Sequence, residues 1–247
     1  MYIAQYNRKT SFCLIFIFTC IILLAKTGKC QTSGMYPPFT KWHQDPLGLK
    51  PVKLSTAFGF VWASATTAAC LIFTKNDSLF RKKISAYSEN GYTLSYKPPY
   101  TRVLQSDVGF IYEVRRWMSL GLGWNTFHFI DQVNDTWTFG IMPFTRWHIY
   151  KSKKTAFFFQ YGAGISYSLN RFPLTGTGWE TDTGRVGTKF NLMSKYGVGA
   201  EFHLTKTISL QASVKHFHLS NGNIAGILRN PSHDSNGFFF GIIYKPD

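Results

Sequence analysis

From about residue 117 onward the chain alternates with period two. Met118, Leu120, Leu122 and Trp124 alternate with Ser119, Gly121, Gly123 and Asn125. Phe157, Phe159, Tyr161, Ala163, Ile165 and Tyr167 stand against Ala156, Phe158, Gln160, Gly162, Gly164 and Ser166. Tyr196, Val198, Ala200, Phe202 and Leu204 stand against Lys195, Gly197, Gly199, Glu201 and His203. Side chains on a strand point to opposite faces in turn, so each segment has one apolar face and one small or polar face. A water-soluble barrel would turn its large apolar residues inward. A narrow membrane barrel turns them to lipid and takes Gly, Ser and paired charges into its lumen. The glycine-rich polar faces favour the second arrangement.

The pattern predicts strands over roughly 54 to 63, 103 to 113, 117 to 130, 136 to 150, 155 to 170, 189 to 204, 208 to 220 and 237 to 245. Their connections alternate between short turns (Arg115-Arg116, Tyr150 to Lys154, Thr205 to Thr207) and long segments (64 to 102, 171 to 188, 221 to 236), with 131 to 135 an exception. Short periplasmic turns, long external loops and an even strand number describe an outer-membrane barrel. The expected fold is therefore all-β, an eight-stranded antiparallel transmembrane β-barrel. Two features fit less well. Pro143 removes a ladder donor from the fourth strand, and strand-like pieces around Cys70 to Thr74 and Tyr92 to Tyr96 interrupt the first long connection.

The N-terminus reads differently. Arg8 and Lys9 precede an apolar run from Phe12 to Ala25, about 14 residues, too short for a membrane helix and suited to a signal peptide. The expected organisation is a signal peptide over 1–30, a periplasmic N-terminal segment over 31–53 and the barrel over 54–247. Of the cysteines only Cys70 then remains, so no intrachain disulfide is expected. Removing Arg8, Lys9, Lys26 and Lys29 from the 27 Lys and Arg, against 12 Asp and Glu, leaves a net charge of about +11. A basic surface favours anionic partners. Nucleic acid is not expected, because the basic residues are scattered and no helix-turn-helix or zinc spacing is present; phosphorylated lipid suits the barrel better. His43, His128, His148 and His233 lack metal-ligand spacing, so neither metal nor cofactor is expected. Glu201, His203 and Lys215, with Asp107 and Glu113, are expected to pair within the lumen.

Strand seven carries Leu210, Ala212, Val214, His216, His218 and Ser220 on one face, apolar at first and then chemical. That places His218 and Ser220 on the outside of the barrel at its extracellular end. An imidazole beside a hydroxyl is the minimum needed to activate a serine nucleophile. Counting back along the last strand puts Asn236 and Asp234 on the same face, where either could orient the histidine, and Asn221 could donate to an oxyanion. On spacing alone, a histidine and a serine at a strand end serve equally well as solvent or headgroup contacts.

The stretch Lys215-His216-Phe217-His218-Leu219-Ser220-Asn221-Gly222, followed by Asn230-Pro231 and a closing strand, resembles the C-terminal signature of the lipid A 3-O-deacylase family. That signature is a His-x-Ser-Asn motif, then Pro-Asn-x-Gly, then an acidic residue before the last strand. The approach, Arg185-Val186-Gly187-Thr188-Lys189, Tyr196-Gly197-Val198-Gly199 and Leu204-Thr205-Lys206-Thr207, is also similar. The resemblance covers about residues 155 to 245. It implies a serine esterase of the bacterial outer membrane acting on an acyl ester of lipid A at the 3-O position. His218 would be the base, Ser220 the nucleophile and Asn221 an oxyanion donor. Aligned on Pro231, Asn236 falls where the family has glutamate, Asp234 where it has glycine and Ser232 where it has asparagine, so the third member is Asn236 or Asp234. His216 and Arg229 are expected to contact substrate, with Arg171, Arg185 and Lys189 near the same rim. The partners implied are lipopolysaccharide and the membrane itself, with a homodimer also compatible. The rival reading is a non-catalytic barrel serving adhesion or envelope integrity, in which His218 and Ser220 are rim residues.

Overall fold

A computed structural model describes residues 54, 57–74, 83–95, 101–130, 135–172, 187–222, 224–225 and 232–246. The expected signal peptide and the 31–53 segment lie outside these residues. Helix α1 (Ala57–Phe73) comes first, followed by strands β1 (Ile84–Ser95), β2 (Arg102–Arg115), β3 (Met118–Ile130), β4 (Thr136–Lys151), β5 (Thr155–Phe172), β6 (Thr188–His203), β7 (Ile208–Ser220) and β8 (His233–Tyr244). Each strand pairs antiparallel with its neighbours and β1 pairs with both β2 and β8, so the sheet closes on itself. Closure removes the edges that a spanning sheet could not leave bare in lipid.

The closed eight-stranded barrel is as the alternation predicts, but its first strand is not. Residues 54 to 63 do not form a strand: α1 begins at Ala57, and the Cys70 to Thr74 piece is its last turn, ending at Phe73, and the residue after it. The first strand is Ile84–Ser95, inside what reads as a long loop. At the other end of the chain β8 starts at His233, four residues before the predicted start, which brings Asp234 and Asn236 into the ladder.

Burial separates the two faces. Outward positions such as Phe110, Trp124, Phe139, Ile165, Phe202 and Phe240 are exposed, as a lipid-facing wall requires. Inward positions are packed solid. Near the long-loop end Val103, Phe127, Phe129, Met142, Phe172, Met193, Phe217 and Leu219 form one cluster. Nearer the short turns, Tyr87, Ile111, Phe144 and Ile243 form another. The glycine-rich inner faces make room for these rings: a Cβ at Gly91 would lie 2.2 Å from the Phe239 ring, and one at Gly121 would lie 2.1 Å from that of Phe144.

The charges also pair inside. Lys195 meets Asp107 at 2.6 Å, Arg146 meets Glu201 at 2.6 Å, and Lys215 meets Glu89. Glu113 pairs with Lys151 at 3.1 Å nearer the short turns, while His203 bonds Ser209 rather than a carboxylate. Arg146 lies 4.0 Å over the Phe158 ring and Lys195 5.0 Å over that of Phe239. Buried charge is costly unless it is paired and hydrogen-bonded, and the lumen meets both conditions with a few cross-barrel contacts. Pro143 stays within β4. It pairs with Leu122 on the β3 side, whereas the β4–β5 ladder steps from Ile141↔Ile165 to Phe144↔Gly162. The missing donor thus falls in a local gap.

Candidate active site

β7 and β8 run antiparallel with His218 opposite Asp234 and His216 opposite Asn236. The inward set on β7 is Ser209, Gln211, Ser213, Lys215, Phe217 and Leu219, all buried, so His216, His218 and Ser220 face outward by alternation. They stand at the end of the barrel that carries the longer connections, next to the one between β7 and β8.

His218 joins two partners. Its Nδ1–H donates to Asp234 Oδ1 at 2.7 Å, which fixes the tautomer and leaves Nε2 to accept from the Ser220 hydroxyl at 3.1 Å. Asp234 also accepts from His216 Nε2 at 3.2 Å. His216 Nδ1 lies 2.9 Å from Asn236 Oδ1, and its ring packs 5.0 Å from that of Tyr196. Two arrangements satisfy His216: an imidazolium donating to both oxygens, or a neutral ring with the Asn236 amide turned to donate to Nδ1. Either way the carboxylate of Asp234 is held by two imidazoles. The His218 and Asp234 side chains are 15% and 11% exposed, so the group is shielded while Ser220 stays within reach from outside.

Of the two residues that could orient His218, the structure brings Asp234 to its ring and Asn236 to that of His216. His216 is 5% exposed and has both nitrogens engaged, one on Asn236 and the other on the Asp234 carboxylate. Asn221 is buried beyond the end of β7 and its carbonyl accepts from Ile224 N at 3.1 Å. The Gly222 N–H donates to Ser220 Oγ at 3.4 Å. Gly222 has φ +61°, a left-handed conformation that suits glycine. The Asn-Gly pair at a strand end was the sequence signal for this turn. Arg171 and Lys189 lie exposed at the same end, whereas Arg185 and Arg229 fall outside the described residues.

A family model described as lipid A 3-O-deacylase (PagL) matches residues 92–242, from within β1 to within β8. No curated protein matches the chain. Among solved structures, the outer membrane enzyme PagL is similar at 15% identity over 64% of this chain and 97% of its own, with a TM-score of 0.44. The Neisserial surface protein A is similar at 9% identity over 68% and 100%, with a TM-score of 0.48. The attachment invasion locus protein Ail of Yersinia pestis is similar at 11% identity over 67% and 100%, with a TM-score of 0.39. The family match spans more than half of the chain and contains every residue of the His218 cluster: the chain belongs to the lipid A 3-O-deacylase (PagL) family, as a barrel of the bacterial outer membrane.

Proposed function

We propose that the protein is a serine esterase that hydrolyses the 3-O acyl ester of lipid A at the outer leaflet. The observation that carries this reading is the unbroken relay from Asp234 Oδ1 through His218 to Ser220 Oγ, at 2.7 and 3.1 Å, on the lipid-facing side of the wall. Family membership supports the substrate.

Ser220 Oγ attacks the ester carbonyl while His218 Nε2 takes its proton, and Asp234 stabilises the imidazolium that forms. The oxyanion needs donors that it meets more closely than the ground-state carbonyl does, a role for which the Gly222 N–H, 3.4 Å from Ser220 Oγ, and Asn221 are the candidates. The tetrahedral intermediate collapses to an acyl-serine, and the sugar hydroxyl leaves with the proton from His218. Water, activated by the same imidazole, then releases the fatty acid. His216 acts as a positioning residue by fixing the carboxylate, and Asn236 by fixing His216. Arg171 and Lys189, with Arg229, supply charge for the anionic glycolipid.

A fluorophosphonate probe tests the nucleophile directly. Purified protein in detergent should gain one covalent adduct, located on Ser220 by peptide mass spectrometry, and Ser220→Ala should gain none. Labelling of folded wild type at no residue, or equally in the variant, would contradict the serine mechanism.

A further inference from the structure

Helix α1 lies on the outside of the barrel. It shares one buried cluster with Met118, Trp147, Phe159, Tyr161 and Tyr196, all outward-facing by alternation yet buried. The face it turns to the wall carries the small residues Ala63, Thr67 and Cys70, spaced by four and three residues, with Trp62 and Leu71 packed beside them. Small residues let a helix approach closely, and Thr67 Oγ1 comes within 3.0 Å of Thr145 Oγ1 on β4. Trp62 and Trp147 pack with ring centroids 6.5 Å apart.

The opposite face is apolar and bare, with Phe60, Val61, Ile72 and Phe73 between 52% and 76% exposed. From Leu54 to Thr74 the sequence has no charged residue, and Lys53 and Lys75 flank it. No helix among the described residues is long and apolar enough to cross a membrane. At 1.5 Å per residue, however, α1 extends about 25 Å along the wall. At its lower end Arg115, beside the β2–β3 turn, donates to the carbonyls of Leu71 and Thr74 at 3.0 and 3.2 Å, satisfying acceptors that a helix end leaves open. At its upper end Tyr161 donates to the Leu54 carbonyl at 2.9 Å. Tyr161 pairs with Tyr196 and Tyr196 with His216, so that end stands two strands from the site.

We propose that α1 is embedded in the outer membrane, its small face seated on the barrel wall and its Phe60, Val61, Ile72 and Phe73 face in contact with lipid acyl chains. The wall it lies on is the lipid-facing surface of an outer-membrane barrel. An uncharged helix that turns large apolar side chains away from the protein is stable where that face meets lipid rather than water, and at its lower end Arg115 and the Thr74 N–H satisfy carbonyls that the helix leaves open. The helix precedes the region matched by the family model.

Spin labels test this on the full chain, with the native cysteines replaced, reconstituted in phosphatidylcholine vesicles. Labels at Phe60→Cys and Ile72→Cys should be open to oxygen and shielded from a water-soluble nickel chelate. Their oxygen-to-nickel accessibility ratio should match that of lipid-facing Phe240→Cys and stand several-fold above that of Lys154→Cys in the exposed β4–β5 turn. Nickel accessibility at both helix positions equal to that at Lys154→Cys would overturn the proposal by placing α1 in water. Shielding from both reagents would overturn it as well, since a second copy would then cover the face. Persistence of the folded form on unheated gels establishes that each labelled barrel is intact.

Discussion

At the scale of residues, the proposed mechanism divides the polar groups of the site between a reacting pair and a supporting set. Ser220→Ala removes the proposed nucleophile and should lower turnover by about 10³-fold or more, leaving whatever binding and oxyanion stabilisation supply. Asp234→Asn keeps the shape but loses the charge that holds the tautomer and balances the imidazolium; a fall in kcat of about 10²- to 10⁴-fold is expected, with KM little changed. Asn236→Ala should cost much less, because Asn236 touches His216 and not His218. Steady-state kinetics on the three variants check this order, and equal losses for Asp234→Asn and Asn236→Ala would contradict it. Gly222→Ala should also lower kcat. Its Cβ would lie 2.8 Å from Leu192 Cδ1 in a backbone conformation that alanine rarely adopts, so the amide must move away from Ser220. The His-x-Ser pair was legible in the sequence because strand parity puts both on one face. The choice between Asp234 and Asn236 was not, since two residues on the same face differ only in register, and the turn that sets register lies in the least patterned part of the chain.

At the scale of elements, seven strands could be read because their outward faces are nearly continuous in large apolar residues. β1 could not. Its outward positions include Ser88 and Asn90 and its inward ones Glu89, Gly91 and Thr93, so neither face gives a contrast. The segment before it misleads in the opposite way. Leu54, Thr56, Phe58, Phe60 and Trp62 alternate with smaller residues, but Ala63, Thr67 and Cys70 recur at helical spacing and the helix wins by seating that stripe on the wall. Within the lumen, ion pairing between elements sets stability. Asp107→Ala would strand the Lys195 ammonium, which is fully buried, and should destabilise the barrel by about 3–5 kcal/mol. The double variant Asp107→Leu with Lys195→Leu should recover most of that loss, because a well-packed apolar pair often matches a buried ion pair. Urea unfolding of the reconstituted barrel measures both. Equal stability of Asp107→Ala and wild type would show that the pair does not hold the strands together.

At the scale of the whole molecule, lipid-facing side chains cover the outside, a filled lumen closes the inside, and the proposed site sits where the wall meets the long-loop rim. In the proposed reaction an amphiphile reaches Ser220 laterally from the membrane, the side that the His218 cluster faces, and not through the packed lumen. The basic residues at that rim and the family match both agree with an anionic glycolipid substrate. The most direct measurement is mass spectrometry of lipid A from cells expressing either wild type or Ser220→Ala, each confirmed folded in the outer membrane, together with purified lipid A incubated with each protein in detergent. The account predicts loss of one 3-O-linked acyl chain with wild type and none with Ser220→Ala. Unchanged lipid A with the wild-type protein in both settings, or the same loss with Ser220→Ala, would contradict it.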